Sequence, residues 1–302
     1  MLRGVKSNVF VEASGEDFET EPGPVESAGY WSPYALDADL SALHWARTPR
    51  PAASYDAPFL YLAQYRHADA LGASCPTTLP AAGNGRRDFV FSVGRCGSTV
   101  LTRIAMGAGL ATLSEPDAIV ALTVRRLGDR ADDLYGRVLD ATIRASGHDP
   151  AKRTLVKLRA QHSTSAHLQR VRNAVPGASF LFVFREPRAW ARSMVGHFGL
   201  SVDRLVMLYS GAVEACAAVI AAGDEPNVLL YEDMVTDARS VASALDLDPK
   251  TVQLPERSSQ SGTRLAGRPT LDEEGEAKVT AFLRHWPGIA RDHAFLPYNV
   301  GE

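Results

Sequence analysis

One short segment combines the residue types that bind phosphate-like anions. The residues with this potential are Gly94, Arg95, Cys96, Gly97, Ser98 and Thr99. The two glycines let backbone N–H groups turn toward an anion, and the arginine adds a full positive charge. The serine and threonine stand at the predicted start of a helix, where free N–H groups attract anions. The segment therefore predicts an anion-binding loop; the alternative is a tight strand-to-helix turn without a ligand.

The same segment lacks the lysine of a nucleoside-triphosphate loop. That motif reads G-x-x-x-x-G-K-[ST]. Here Ser92 stands where the first glycine belongs, and Ser98 replaces the lysine that reaches the β- and γ-phosphates. The pattern argues against an ordinary ATPase or kinase.

A second candidate anion site follows the most apolar run of the chain, residues 179–184. Arg185 comes directly after this run, and Ser193 stands eight residues later, on a predicted helix. Ligands bind at the carboxyl ends of strands in open α/β sheets. An arginine at a strand end and a serine on the next helix can clamp one phosphate. The alternative is an arginine paired with a neighbouring acid and a serine without a ligand.

These residues need strands and helices in alternation, and from residue 88 the chain has that pattern. The predicted strands are 88–93, 154–158, 179–184 and 227–232, and the predicted helices are 98–109, 165–175, from 187, 203–222, 237–247 and 272–286. Apolar strands alternating with helices indicate βαβ units and a mostly parallel sheet. We expect residues 1–85, rich in Pro, Ala, Ser and acids, to be an N-terminal extension packed on a core formed by 86–302.

Charge is distributed unevenly along the chain. Residues 86–192 hold 18 Lys and Arg against nine Asp and Glu, a net charge of +9, whereas the whole chain carries −3. A basic middle in an acidic protein favours a local anionic ligand over general nucleic-acid binding. An alternative is that arginine is simply abundant, with 27 Arg against five Lys.

Three segments together resemble the sulfotransferases that use 3′-phosphoadenosine-5′-phosphosulfate (PAPS). The loop SVGRCGSTVL is similar to the 5′-phosphosulfate loop of bacterial and carbohydrate members, with Arg95 in place of the lysine of the cytosolic branch. Arg185, Pro187 and Ser193 match the R-x-P element and serine that hold the 3′-phosphate. The segment beginning VLLYEDM matches a third family element, whose tyrosine, here Tyr231, lies near the adenine. The resemblance covers residues 88–247.

The resemblance implies an α/β P-loop-like three-layer fold with a mostly parallel central sheet flanked by helices. It also implies a transferase that moves a sulfuryl group from PAPS to a small-molecule hydroxyl or amine, releasing 3′-phosphoadenosine-5′-phosphate (PAP), without a metal. Arg95 would stabilise the leaving phosphate. Lys157, a cation at a predicted strand end, would reach the sulfuryl or bridging oxygen; the alternative is a surface salt bridge. Arg264 or Arg268, in a basic late loop, would contact the 3′-phosphate; the alternative, which we favour for this loop, is a solvated loop without a ligand.

Two residues are candidates for the base that takes the acceptor's proton. Glu115 matches a glutamate that some bacterial and glycan sulfotransferases use. His162 is a looser match to the histidine of the cytosolic branch, because Leu158 and Arg159 stand where its Thr-His pair belongs. We place Glu115 slightly ahead; its alternative is an acid in the first turn of a helix.

Composition sets the remaining expectations. Three scattered cysteines without a CxxC pair indicate neither a disulfide framework nor a zinc knuckle, and they favour a reducing compartment. No apolar run approaches the ~20 residues that span a bilayer, and the N-terminus turns acidic where a signal peptide is apolar. We expect a cytoplasmic protein with no nucleic-acid or membrane partner. Two other functions stay open: a small-molecule kinase with a degenerate phosphate loop, and a repurposed, non-sulfating member of the fold.

Overall fold

The computed structural model describes residues 20–22, 29–37, 40–52, 59–124, 128–254, 269–291, 293–296 and 298. The strands are β1 (Thr20–Pro22), β2 (Tyr30–Leu36), β3 (Leu43–Thr48), β4 (Ala70–Ser74), β5 (Arg87–Ser92), β6 (Ala111–Ser114), β7 (Thr154–Lys157), β8 (Ser179–Phe184) and β9 (Asn227–Leu230). The α-helices are α1 (Leu60–His67), α2 (Ser98–Gly107), α3 (Asp117–Val124), α4 (Gly128–Ala145), α5 (Ser165–Ala174), α6 (Pro187–Phe198), α7 (Val202–Ala221), α8 (Tyr231–Met234), α9 (Ala238–Leu245) and α10 (Glu273–Ala290). Short 3₁₀ helices cover Pro76–Thr78, Ala160–His162 and Pro249–Thr251.

A five-stranded parallel sheet has the strand order β6-β7-β5-β8-β9. β6 pairs in parallel with β7, and β8 pairs in parallel with β9. Five of the six residues of β8 are buried, as expected for a strand covered on both faces. The prediction of an α/β fold with a mostly parallel sheet flanked by helices is confirmed.

The chain divides into two compact units. The first contains residues 1–88, 111–157 and 169–178. It holds a four-stranded sheet of order β1-β4-β3-β2, in which β3 is antiparallel to both neighbours and β1 is parallel to β4. One cluster of buried residues at this sheet consists of Tyr34, Ala35, Ala46, Ala68 and Leu71. The sequence did not predict this sheet.

The second unit contains residues 89–110, 158–168 and 179–302, and its helices pack through an aromatic cluster. Trp190 on α6 and Tyr209 on α7 lie edge to face with ring centroids 5.0 Å apart. Phe282 and Trp286 on α10 contact Tyr209 with centroids 6.2 and 5.1 Å away. All four side chains are buried, so this cluster fixes α6 relative to the helices beside it.

α7 is long and apolar enough to cross a membrane by length and composition alone. Within the second unit it packs against α10 and β8, and it buries eight residues, among them Leu205, Val213 and Val219. A core helix passes the same test of length and composition.

Candidate active site

The loop between β5 and α2 has a backbone built for close approach to a ligand. Gly94, Arg95 and Gly97 have φ of +76°, +48° and +80°. Arg95 is a non-glycine residue in the left-handed region, a conformation that costs roughly 1–2 kcal/mol and that clusters at functional sites. Gly97 precedes α2 and has no side chain to cap it, so the first N–H groups of the helix are open to an anion.

Both glycines of the loop are also required by their neighbours. A Cβ on Gly97 would lie 2.2 Å from Met234 Cε and 2.7 Å from Tyr231 Cδ2. A Cβ on Gly94 would lie 3.0 Å from Ala160 Cβ. The loop therefore fits between α8 on one side and the 3₁₀ helix Ala160–His162 on the other.

The hydroxyl residues of the loop differ in exposure. Ser98 is buried, with its Oγ 3.4 Å from Ser92 Oγ, whereas Thr99 is half-buried on the first turn of α2. Cys96 is fully buried, which fits a small packing residue and not a reactive thiol.

Trp190 on α6 binds the backbone of the loop, and the sequence analysis did not single it out. Its Nε1–H lies 3.1 Å from the carbonyl oxygen of Val93 and 2.8 Å from that of Gly94. The side chain is 0% exposed. Trp190 stands three residues before Ser193, on the same face of α6, and this spacing was the sequence signal that it lies near the loop.

The two segments predicted to bind anions meet. Arg95 Nε donates to Ser193 Oγ at 3.0 Å, and Arg185 Nη1 donates to the carbonyl oxygen of Arg95 at 2.9 Å. Burial and the neighbouring charge of Arg185 lower the pKa of Arg95. Burial and the nearby charge of Arg185 both make the charged form of Arg95 less favourable. A bound anion would offset this cost.

Both the guanidinium and the backbone of Arg185 are held by neighbouring residues, and one N–H of the guanidinium has no partner in the part of the chain that the structure describes. Its guanidinium carbon lies 4.5 Å from the centroid of the Tyr231 ring, and Tyr209 Oη donates to its carbonyl oxygen at 2.8 Å. Its buried Nε has no hydrogen-bond partner among the described residues. Because a buried guanidinium N–H is costly to leave unpaired, a ligand oxygen fits here.

The structure places Tyr231 differently from the predicted strand 227–232. β9 ends at Leu230, and Tyr231 is the first residue of α8, where its carbonyl oxygen accepts from the N–H of Val235 at 3.2 Å. Glu232 in the same turn accepts from the N–H of Glu186 at 3.1 Å and from Tyr298 Oη at 2.8 Å. These bonds tie α8 to the start of α6, and sequence reasoning did not single out Glu232.

In the first unit, Glu115 and Lys157 form an ion pair. Lys157 Nζ lies 2.5 Å from Glu115 Oε1, with the two side chains 3% and 12% exposed, and the N–H of Glu115 donates to the Lys157 carbonyl oxygen at 2.8 Å. Lys157 Nζ also lies 4.6 Å from the centroid of the Phe59 ring. Glu115 has a φ of +55°, a second non-glycine residue held in the left-handed region. The two predicted catalytic residues of this unit are thus direct partners.

His162, the other candidate base, is on the 3₁₀ helix of the second unit. Burial, and then the charges of Arg159 and Arg204, lower its pKa to about 4. A general base works best when its pKa lies near the working pH, so this environment makes His162 a weaker base than an ordinary histidine. The predicted contact of Arg264 lies outside the described residues.

No group of three or more His, Cys, Asp or Glu that could hold a metal ion occurs in the part of the chain that the structure describes.

Comparison with solved structures adds a likeness of fold. A sulfotransferase from Alicyclobacillus acidocaldarius is 16% identical with a TM-score of 0.44, covering 67% of this chain and 92% of that one. The sulfotransferase domain of the Synechococcus PCC 7002 olefin synthase is 17% identical with a TM-score of 0.38, covering 73% and 92%. A sulfotransferase from Mycobacterium tuberculosis H37Rv is 13% identical with a TM-score of 0.41, covering 71% and 78%. The chain is similar to bacterial sulfotransferases.

No protein-family model matches the chain, and no curated protein matches it.

Proposed function

We propose that the protein transfers a sulfuryl group from PAPS to a hydroxyl or amine of a small-molecule acceptor. The observation that carries the proposal is the convergence of Arg95, Ser193, Arg185 and Tyr231 around one glycine loop. Two guanidiniums, a serine hydroxyl and an aromatic ring match the two phosphate groups and the adenine of the donor.

The chemistry is a displacement at sulfur. The acceptor oxygen or nitrogen forms a bond to the sulfur, and the bond from sulfur to the 5′-phosphate oxygen of the donor breaks. The electron pair of the broken bond stays on PAP, and the acceptor's proton passes to a base. Charge develops on the leaving phosphate, so positioned cations and N–H donors supply most of the catalysis, as in phosphoryl transfer.

Each group of the second unit has a role in this proposal. Arg95 and the N–H groups at the start of α2 neutralise the 5′-phosphate as it leaves. Arg185 uses its unpartnered Nε to bind the 3′-phosphate together with Ser193. Tyr231, already stacked on Arg185, contacts the adenine.

In the first unit, the role of Glu115 comes from the resemblance and that of Lys157 from its position at the end of β7. Glu115 is the proposed base, and Lys157 the proposed cation at the sulfuryl group. Lys157 Nζ lies against Glu115 Oε1, so the two groups are held side by side. Location in the cytoplasm belongs to the same proposal.

The test is calorimetric titration with PAP and, separately, with ATP and Mg²⁺. PAP should bind tightly and ATP–Mg²⁺ weakly. Arg185→Ala should weaken PAP binding, and the matched variant Arg284→Gln, at an exposed arginine of α10, should leave it unchanged. Preference for ATP–Mg²⁺ would indicate a kinase, and binding of neither nucleotide would indicate a repurposed fold.

A further inference from the structure

The phosphate loop has two sides, which different elements of the second unit approach. Tyr231 and Met234 approach it at Gly97, whereas Ala160 approaches it at Gly94. The N–H of Leu158 donates to the Val90 carbonyl oxygen at 3.1 Å, which fixes the chain two residues before Ala160. The segment following β7 is therefore held beside the loop on its Gly94 side.

His162 ends the 3₁₀ helix on this side and has an unused polar atom. Its Nε2 is buried and has no hydrogen-bond partner among the described residues. The ring lies edge to face with His167, with centroids 6.3 Å apart. Since its pKa is about 4, His162 is neutral at physiological pH, and a neutral imidazole can donate one hydrogen bond to an anion.

Two arginines act on His162, one from each neighbouring element. Arg159 begins the 3₁₀ helix, and Arg204 lies in the first turn of α7, which packs against that helix. A Cβ on Gly211 of α7 would lie 3.3 Å from the carbonyl oxygen of Ser163, so the packing is close. Both arginine charges lower the pKa of His162, as expected when positive charges face one another.

Arg204 is placed against its electrostatic preference. Cations are unfavourable at a helix N-terminus, where the N–H groups are partly positive. Its Nη1 lies 3.4 Å from Met207 Sδ, and no acidic side chain pairs with it in the described part of the chain, Asp203 of the same turn included. Arg204 is exposed to solvent on the helix that packs against the 3₁₀ helix of His162, so its guanidinium can bind a negative group there.

We propose that the acceptor carries an anionic group, which Arg204 and Arg159 bind with His162 on the Gly94 side of the phosphate loop. The inference rests on the proposed function and narrows its substrate class to anionic hydroxyl compounds or amines. His162 then orients the acceptor through a hydrogen bond and does not remove its proton.

The experiment compares acceptors that differ only in charge. Sulfuryl transfer is measured for 4-hydroxyphenylacetate against 4-hydroxyphenylacetamide, and for further carboxylate and amide pairs of aliphatic alcohols and amines. The wild-type protein should have a lower KM for the carboxylates. Arg204→Gln should remove about 10-fold to 100-fold of that preference, the effect of one charge-assisted hydrogen bond, and Arg204→Lys should keep part of it. Arg284→Gln should leave it unchanged.

A second readout does not need turnover. In PAP-saturated protein, added carboxylate should shift the ring resonances of His162, and Arg204→Gln should abolish the shift. Three results would overturn the inference. The first is a preference for the amides, and the second is an equal effect of Arg204→Gln on both members of each pair. The third is tight PAP binding with neither transfer nor a resonance shift for any carboxylate. Failure of PAP to bind would instead overturn the proposed function, and the acceptor inference falls with it.

Discussion

The guanidinium of Arg185 stacks on the ring of Tyr231, 4.5 Å from its centroid, at the end of β8. This contact holds the arginine in place without using up its hydrogen-bond donors. One donor goes to the Arg95 carbonyl oxygen, and the buried Nε is left for a ligand. The pair thus links the loop, β8 and α8 into one preorganised site.

Arg185→Lys should therefore weaken PAP binding nearly as much as Arg185→Ala. A lysine keeps the charge but loses the planar fork and the stacking geometry. We expect about 10-fold to 100-fold weaker binding by calorimetry, the effect of one or two charge-assisted hydrogen bonds. Affinity within twofold of the wild-type value in both variants would exclude Arg185 from the donor site.

Gly97→Ala should destabilise the second unit and abolish PAP binding. The new Cβ would meet Met234 Cε at 2.2 Å and Tyr231 at 2.7 Å, and the φ of +80° costs a further ~1–2 kcal/mol. Thermal unfolding and calorimetry measure the two effects. Gly107→Ala at the end of α2 is the matched control, because nothing lies within 4 Å of its Cβ. It should be neutral or slightly stabilising.

Trp190→Phe should loosen the phosphate loop. It keeps one aromatic ring in the cluster but removes the N–H donated to the carbonyl oxygens of Val93 and Gly94, at a cost of about 1–3 kcal/mol for the lost bonds. We expect a lower melting temperature and weaker PAP binding. Trp286→Phe removes a comparable bond, to the Tyr298 carbonyl oxygen at 3.2 Å, and should lower stability without changing PAP affinity. Equal PAP affinities in the two variants would contradict the positioning role of Trp190.

Much of the central sheet and the composition of the candidate anion-binding loop could be predicted from sequence. Local sequence patterns were strong there. The apolar run that forms β8 predicts a buried strand, and two glycines followed by Ser and Thr predict a loop that leads into a helix. The hydrogen bond between Arg95 and Ser193, 98 residues apart, was not predicted, because the sequence assigned these two residues to different phosphate groups. The boundary between an N-terminal extension and a domain at residue 85/86 stays a prediction.

The rest depended on tertiary context. The four-stranded sheet of the first unit was missed because its strands carry prolines and glycines, such as Pro33 in β2 and Gly72 in β4, that weaken a strand pattern. β6 has only four residues, too few for a clear alternation. The roles of Trp190 and Glu232 come from bonds to distant backbone, which no local pattern encodes.

Acid should destabilise the protein through His162. The pKa of His162 is about 4 in the folded state and about 6.5 when unfolded, so the unfolded chain binds more protons between these values. Stability therefore falls as pH drops from about 6.5 to 4, by up to about 3 kcal/mol. Chemical denaturation at pH 7.5 and pH 4.5 measures it. In His162→Gln this contribution is absent, so the variant should lose less stability on acidification; identical losses would contradict the assignment.

Glu115→Gln separates catalysis from support of Lys157. As the proposed base, Glu115 contributes about 10²-fold to 10⁴-fold to turnover, whereas PAP affinity should not change. The variant also leaves the buried ammonium of Lys157 without a counter-charge, so its melting temperature should fall. Turnover is therefore measured well below that temperature. A stability loss with unchanged turnover would make Glu115 only the ion-pair partner of Lys157. A carboxylate with a purely structural role does not accept the acceptor's proton, so its removal leaves turnover unchanged.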